Sequence, residues 1–222
     1  MHSCKLSTER NKQPLLDFYT ILGGTALFTD NDFTPDSSSL FWADMGEYPD
    51  AFLHPNTVTW KRAYDAMPNK TLFGSGISPD DINQGNLGDC WFLAAASSIA
   101  EFQGRMEKVF LNDKNESNSA LNRPGIYGVN LFTLGVPHTV IVDDYLPLHS
   151  DNRTLFAKPG DDSSLWVVIL EKAFAKYYGN YKHIHGGLPE LAIRTMTGGP
   201  FHKYHNYEFT VNELWTFIVM HD

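Results

Sequence analysis

One stretch of eighteen residues, NQGNLGDCWFLAAASSIA at positions 83–100, constrains the fold more than any other part of the chain. Its second half predicts a helix from Cys90 to about Glu101. At about 100° per residue, the apolar side chains of this helix cover nearly its whole circumference. Such a helix lies in a protein interior, so the remaining chain must pack around it. Gly85 and Gly88 predict a tight polar turn that leads into the helix.

Composition narrows the class of protein. The chain has 222 residues, 42% of them hydrophobic, which suits one large domain or two small ones. Its formal charge of -9 argues against nucleic acid as the main partner, because phosphate binding requires a basic surface. Two cysteines, Cys4 and Cys90, cannot form a disulfide framework, and no apolar run has the length of a membrane span. These features predict a cytoplasmic, intracellular location.

The order of elements predicts an α+β fold. GIYGVNLFTL and HTVIVDDYLPL are typical of two strands joined by a GVP turn. DDSSLWVVILEKAFAKYYGNY predicts a strong helix, with Asp162, Ser163 or Ser164 as N-cap and Gly179 as its end. GGLPELAIRTMTGGP predicts a further short helix. The expected architecture is therefore a central buried helix that carries Cys90, a small antiparallel sheet and further helices.

The position of Cys90 favours nucleophilic chemistry. The N-terminal end of a helix stabilises a thiolate, and Asp89 is a candidate N-cap. Gln84, six residues earlier, has an amide N–H that can point to the oxyanion of an acyl-transfer reaction. The alternative is that Cys90 is a small buried hydrophobe, as most free cysteines are. The local pattern alone does not decide between these two interpretations.

The whole string resembles the nucleophile segment of calpains, the calcium-dependent cysteine proteases. The blocks LFTDNDFTPDSSSLFW, VIVDDYLP and LWVVILEKAFAKYYGNYKHIHGG, followed by TGG, resemble further calpain segments in the same order. The resemblance implies a papain-like first protease-core subdomain over residues 25–200, after an N-terminal lead at 1–24. Residues 201–222 would be the truncated start of a second subdomain. Cys90 would be the nucleophile, and Gln84 would form the oxyanion hole together with the Cys90 N–H.

The resemblance also implies a Ca²⁺ site. Carried over by position, its ligands are the backbone carbonyls of Gly74 and Gly76 and the carboxylates of Asp81 and Glu171. Ca²⁺ prefers several oxygen ligands in a flexible loop, and FGSGISPDDI fits that preference. In the helix LWVVILEKAFAKYY, the lysines occupy the predicted polar face and Glu171 lies beside the apolar arc. The alternative is that Glu171 pairs with an arginine and Asp81 caps the next turn.

A thiolate protease also needs a histidine base and a residue that orients it. Calpains carry these in GHAY-like and RNPWG-like blocks, and neither occurs in these 222 residues. His183 and His185 invite a zinc interpretation, but two histidines without further ligands are a weak motif. The chain by itself is therefore expected to lack peptidase activity.

Two main functional hypotheses follow. The first is the nucleophile-bearing part of a calcium-dependent endopeptidase that acts on protein or peptide substrates together with a second subdomain. The second is a non-catalytic calpain-like protein that binds Ca²⁺ or a partner and regulates a protease. A third, a papain-like acyl transferase such as a transglutaminase, fits the motifs less well.

Overall fold

A computed structural model describes residues 12–42, 57–112, 121–201 and 206–221. Seven helices and four strands form in these parts. The helices are α1 Lys12–Leu22, α2 Ser37–Leu40, α3 Ala63–Ala66, α4 Cys90–Ala100, α5 Trp166–Tyr178, α6 Pro189–Thr197 and α7 Val211–His221. The strands are β1 Thr59–Arg62, β2 Ile126–Thr133, β3 Val136–Asp143 and β4 Tyr145–Leu148. Helices and small antiparallel sheets share one core, so the predicted α+β class is confirmed.

Helix α4 lies at the centre of that core, as its sequence predicts. It packs against α6, and the ring of Phe92 stacks on Phe174 of α5 with centroids 4.5 Å apart. The predicted burial of its whole circumference needs one correction. Cys90, Ala94 and Ser98 are exposed, and their spacing of four residues aligns them in a narrow stripe along the helix. Cys90 stands at the N-terminal end of this stripe.

The strands form two separate two-stranded antiparallel sheets. β2 and β3 make a hairpin in which Thr133 pairs with Val136 across the two-residue turn Leu134–Gly135. Both turn residues have positive φ, as tight hairpin turns require. The segment predicted as one strand, HTVIVDDYLPL, is divided at Asp144, and its second part (β4) pairs with β1 instead. The hairpin itself is confirmed.

Helix α5 begins later than its capping residues predict. Its N-cap is Leu165, rather than Asp162, Ser163 or Ser164, and it ends as predicted at Gly179, which has φ +108°. The predicted exposure of Lys172 is also corrected. Its side chain is 0% exposed and forms an ion pair with the equally buried Asp143 at the end of β3. A buried ammonium next to a buried carboxylate ties α5 to the hairpin.

In the described parts of the chain, no helix is both long enough and apolar enough to span a membrane. Helix α7 falls in the segment 201–222, predicted as the start of a second subdomain. It exposes several large apolar side chains: Val211, Trp215, Ile218, Val219 and Met220. The predicted subdomain boundaries themselves stay a prediction.

Candidate active site

Cys90 is the first residue of α4, and its thiol is exposed. The helix has Asp89 O as its first acceptor, which takes hydrogen bonds from the N–H groups of Phe92 and Leu93. Within the described residues, the Cys90 backbone N–H has no hydrogen-bond partner. An exposed thiol and a free N–H at a helix N-terminus are the arrangement that a nucleophile and an oxyanion donor require. The alternative of a buried structural thiol is therefore wrong.

Gln84 lies on the turn before the helix and is also exposed. Its Nε2 donates a hydrogen bond of 2.7 Å to Leu87 O, so the amide currently closes its own turn. The next residue, Gly85, is packed so tightly that a Cβ would lie 1.7 Å from Phe156 O. Only glycine fits there, and this close contact fixes the course of the backbone on which Gln84 is carried.

Asp89 occupies the N-cap position of α4, but its side chain does not cap the helix. The carboxyl group is completely buried, and neither of its oxygens accepts a hydrogen bond from an N–H group or a hydroxyl. It faces the carboxyl group of Glu171 instead. Burial raises the pKa of Asp89 to about 6. Two buried carboxyl groups in contact are stable when they share a proton.

Glu171 is the second member of this pair and is predicted above as a Ca²⁺ ligand. Both of its oxygens lie within hydrogen-bond distance of the Ala157 N–H, at 3.0 and 3.1 Å. Burial, and next to it the charge of Asp89, raises the pKa of Glu171 well above its ordinary value. Glu171 thus lies close to Asp89 at the start of α4. In the described parts, no arginine pairs with it.

Asp81, the other predicted carboxylate ligand, lies in the loop before the nucleophile turn and contacts the start of α5. Its Oδ2 accepts hydrogen bonds from the Trp166 indole and from the Ser78 N–H, both at 2.9 Å. Trp166 is five residues before Glu171 on α5, which separates the two along the helix axis by about 7.5 Å. Five residues also turn the helix by about 140°, so the two side chains leave it in different directions.

The carboxylate that does accompany Asp81 is Asp162. A Cβ on Gly160 would lie 2.9 Å from Asp81 Oδ1 and 3.0 Å from Asp162 Oδ1, so both oxygens border one point. Asp162 also reaches the predicted calcium loop, where its Oδ2 accepts a hydrogen bond of 2.7 Å from the Ser75 N–H. A Cβ on Gly74 would lie 1.9 Å from this oxygen. The structure therefore brings Gly74, Asp81 and Asp162 together.

The charges at this loop favour a cation. Burial raises the pKa of Asp81, and the neighbouring carboxylates Asp162 and Asp80 raise it further. Burial also opposes the ionisation of Asp162, but hydrogen bonds from Ser164 and Ser75 outweigh it and lower its pKa. No cluster of three acidic, histidine or cysteine side chains forms a metal site in the described residues. A cation here would need backbone oxygens besides the two carboxylates, as Ca²⁺ readily accepts.

The segment Ile184–Gly187 forms one wall beside the nucleophile turn. The Trp91 indole donates a hydrogen bond of 2.8 Å to Ile184 O, and its ring covers Gly187. Trp91 is thus a core residue that also shapes this wall. The His185 ring lies over Gly88, where a Cβ would approach the imidazole to 2.8 Å. Sequence reasoning did not place this exposed histidine near Cys90, because 95 positions separate the two residues.

Gly76 and His183 are two further residues singled out from the sequence. Gly76 has φ +153° and open space around its missing side chain, so its strained conformation favours glycine. His183 contacts Tyr178 O through Nδ1 at 2.9 Å, and its ring packs edge-on against Trp42. The His183–His185 zinc interpretation gains no third ligand from the described residues.

An exposed thiol at the start of a buried helix, preceded by a glutamine-bearing tight turn, is the arrangement of a papain-like cysteine peptidase. Comparison with known families makes this class specific. The profile of the calpain family cysteine proteases matches residues 28–222. The chain belongs to the calpain family.

Curated relatives agree with this assignment. The chain is 34% identical over 199 residues to a protein named calpain-type cysteine protease ADL1 from Oryza sativa subsp. japonica, which covers 87% of the chain and 9% of the relative. It is 32% identical over 183 residues to Calpain-5 of Caenorhabditis elegans, covering 82% of the chain and 27% of that protein. With Calpain-9 of Homo sapiens it shares 32% identity over 215 residues, 95% of the chain and 28% of the relative. The chain thus spans less than a third of each of these proteins.

Proposed function

We propose that this chain is the nucleophile-bearing part of a calcium-dependent, calpain-type cysteine endopeptidase that cleaves protein substrates inside cells. The observation that carries the proposal is the exposed Cys90 at the N-terminus of the buried helix α4, in a chain of the calpain family. A thiol that served only in packing would have no reason to begin the exposed stripe of an otherwise buried helix.

In the proposed mechanism, the Cys90 thiolate attacks the carbonyl carbon of the scissile peptide bond. The Cys90 N–H, which has no other partner among the described residues, and the Gln84 amide donate hydrogen bonds to the oxyanion that forms. Gln84 reaches it by exchanging its present bond to Leu87 O, and its exposed side chain is free to do so. Loss of the amine leaves an acyl-enzyme, which water then hydrolyses.

The base in this mechanism must receive the thiol proton and protonate the leaving amine. The GHAY-like and RNPWG-like blocks that would supply a histidine and its asparagine are absent from these 222 residues. We therefore place the base on a second subdomain that meets the exposed end of α4. By this proposal the chain needs that subdomain for peptidase activity.

The glutamine role can be tested by kinetics in a protease core that joins this segment to the base-bearing blocks. Replacing Gln84 by alanine is expected to lower kcat by about 10²–10³-fold, with a smaller change in KM, because an oxyanion donor acts in the transition state. Replacing Cys90 by serine should reduce cleavage to background.

The matched control for Gln84→Ala is Gln103→Ala, which removes an exposed amide just beyond α4. The control should leave kcat and KM within about twofold of the parent. A Gln84→Ala enzyme with an unchanged kcat would refute the oxyanion role, and the proposal would then retain only Cys90.

The proposed Ca²⁺ site lies in the loop before Cys90. We keep Gly74, Gly76 and Asp81 as proposed ligands and replace Glu171 by Asp162, because Asp162 borders the same point as Asp81. A bound Ca²⁺ would neutralise the repulsion between these carboxylates and fix the loop against the start of α5. A nearby cation would favour the charged form of Asp81, whose pKa is raised by burial.

Calcium titration of the chain by calorimetry tests this site. The parent chain is expected to bind Ca²⁺, and Asp81→Asn should weaken binding by at least about tenfold, since a site of this kind depends on ligand charge. Glu171→Gln and the exposed Asp65→Asn should leave the affinity within about threefold of the parent. Absence of calcium binding by the parent chain would eliminate the site, and loss of binding in Glu171→Gln would restore Glu171 as a ligand.

The competing function is a non-catalytic calpain-like protein that binds Ca²⁺ or a partner and regulates a protease. The reading frame beyond Asp222 distinguishes the two. A frame that continues into the histidine and asparagine blocks supports the peptidase, whereas a stop codon at that point supports the regulatory protein.

A further inference from the structure

A pocket of about 400 Å³ adjoins the turn that carries Gln84. Three parts of the chain form its walls: the end of the turn after α3, the nucleophile-side loop at Gly85 and Asn86, and the segment 149–159 after β4. Leu155 and Thr154 are buried and form the floor. Because Gly85 directly follows Gln84, a polypeptide chain bound at the oxyanion side of the cleft passes close to this pocket.

The charge of the pocket is opposite to that of the chain. Among the described residues, no carboxylate lines the pocket. Its lining includes four basic side chains: Lys70, His149, Arg153 and Lys158. The whole chain carries a formal charge of -9, so such a concentration of cations is local. A pocket lined by charges of one sign concentrates ligands of the other sign.

Two of these cations have no counter-ion among the described residues. The ammonium groups of Lys70 and Lys158 form neither an ion pair nor a side-chain hydrogen bond with any described residue. Lys70 is a half-buried residue in the lining of the pocket. Arg153 pairs with Asp151, but both are exposed, and such a pair exchanges readily for a bound anion.

The remaining wall supplies hydrogen bonds and space. Asn86 Nδ2 and His149 Nε2 lie 3.5 Å apart in the lining of the pocket. Gly85 offers bare backbone, and it cannot change because its back is packed against Phe156 O. A floor of Leu155 and Thr154 beside the cationic side chains of Lys70, Arg153 and Lys158 accommodates a short side chain that ends in a negative group. The volume suits one or a few side chains and excludes a folded partner.

We propose that this pocket, lined by Lys70, His149, Arg153 and Lys158, binds an anionic side chain of the polypeptide that lies in the cleft beside Cys90. The anionic group is a carboxylate or a phosphoryl group, since both offer oxygens to the same cations. The proposal rests on the peptidase function only for the origin of the polypeptide. The pocket would make the enzyme prefer substrates that carry acidic or phosphorylated residues near the cleaved bond.

Binding can be measured without catalysis. The probe is a fluorescein-labelled hexapeptide with three consecutive glutamates, titrated with the chain in a Cys90→Ala background and followed by fluorescence anisotropy. The matched peptide with glutamines in place of glutamates is expected to bind at least about tenfold more weakly. Binding of the glutamate peptide itself should weaken as the salt concentration is raised from about 50 to 500 mM, because salt screens surface charges.

A double variant assigns the binding to the pocket. Lys70→Ala/Lys158→Ala is expected to weaken binding of the glutamate peptide by about tenfold or more. Lys108→Ala/Arg123→Ala removes the same charge from exposed positions outside the pocket and should change binding by less than about twofold. Urea unfolding of both double variants checks that each retains the parent stability. Equal losses in the two double variants would overturn the proposal.

A phosphoserine peptide and inorganic phosphate distinguish the two anionic groups. Binding of either peptide that depends on Lys70 and Lys158 supports the pocket and identifies its preferred anion. Binding of neither peptide, or equal binding of the glutamine peptide, overturns it. Pocket-dependent binding, combined with no Cys90-dependent cleavage by a protease core that joins this segment to the base-bearing blocks, would contradict the peptidase function while leaving the pocket assignment intact.

Discussion

Replacing Lys172 by methionine is expected to lower the free energy of unfolding by about 3–5 kcal/mol, the cost of a buried charge left without its partner. The Lys172 ammonium is completely buried, donates to the Asp143 carboxylate and donates a further hydrogen bond of 2.7 Å to Tyr145 O. Methionine fills a similar volume but supplies no donor. Urea unfolding measures the loss as a lower midpoint at an unchanged m-value.

The control is Arg153→Ala, which removes a cation whose side chain is 78% exposed in its pair with Asp151. Its effect should stay within about 0.5 kcal/mol, because exposed ion pairs contribute little. Adding Asp143→Asn to Lys172→Met should recover part of the loss, since the uncompensated charge is then removed as well. A cost below about 1 kcal/mol for Lys172→Met would show that the ion pair is not what stabilises this part of the core.

Glu171→Gln is expected to flatten the pH dependence of stability that the Asp89–Glu171 pair causes. Burial raises the pKa of both carboxyl groups in the folded state, that of Asp89 to about 6. The folded chain therefore holds a proton that the unfolded chain releases near pH 4. Where the folded state binds more protons, stability falls as pH rises, here from about pH 4 to pH 6 and above. A glutamine amide provides the donor that the shared proton provides, at every pH.

Unfolding free energies at intervals between pH 4 and 8 test this expectation. The parent curve should fall across this range more steeply than that of Glu171→Gln, and Glu190→Gln on α6 should follow the parent. Glu171→Ala should cost about 1–3 kcal/mol for each of the two groups that it leaves unpartnered, the Ala157 N–H and the Asp89 carboxyl. Burial, and next to it the charge of Glu171, raises the pKa of Tyr181 well above its ordinary value, so this neighbour of the pair stays neutral across the range in all variants. Parallel curves for Glu171→Gln and the parent would mean that no proton is shared.

Local patterns predicted much of the fold. Helix α4 follows from its continuous apolar run, the end of α5 from Gly179, and the β2–β3 hairpin from alternating β-branched residues around a glycine turn. Each of these depends on residues that are close in sequence, where periodicity and turn chemistry act directly. Cys90 and Gln84 were selected as candidate site residues in the same way, and the family resemblance favoured a nucleophile over a packing thiol.

Contacts between distant residues were not predictable in this way. Lys172 was placed on a polar face because helix periodicity contains no information about Asp143, which accepts its charge. Glu171 was assigned to calcium by its position in a family block, which stays a prediction, and nothing in its helix indicated Asp89, 82 positions earlier, whose charge acts on it in the structure. Asp162 was considered only as a helix cap. In each case, tertiary packing decided the partner of a charged group.

Helix α5 touches both of the regions to which a function is proposed above. Its first residue, Trp166, donates a hydrogen bond to Asp81 in the proposed calcium loop, and its sixth residue, Glu171, lies close to Asp89 at the start of α4. The consequence concerns protein engineering. Under the proposed function, substitutions on the buried face of α5 would not adjust calcium response and nucleophile placement independently. A designer who wants to change one of them must work from the loops and leave this helix as it is.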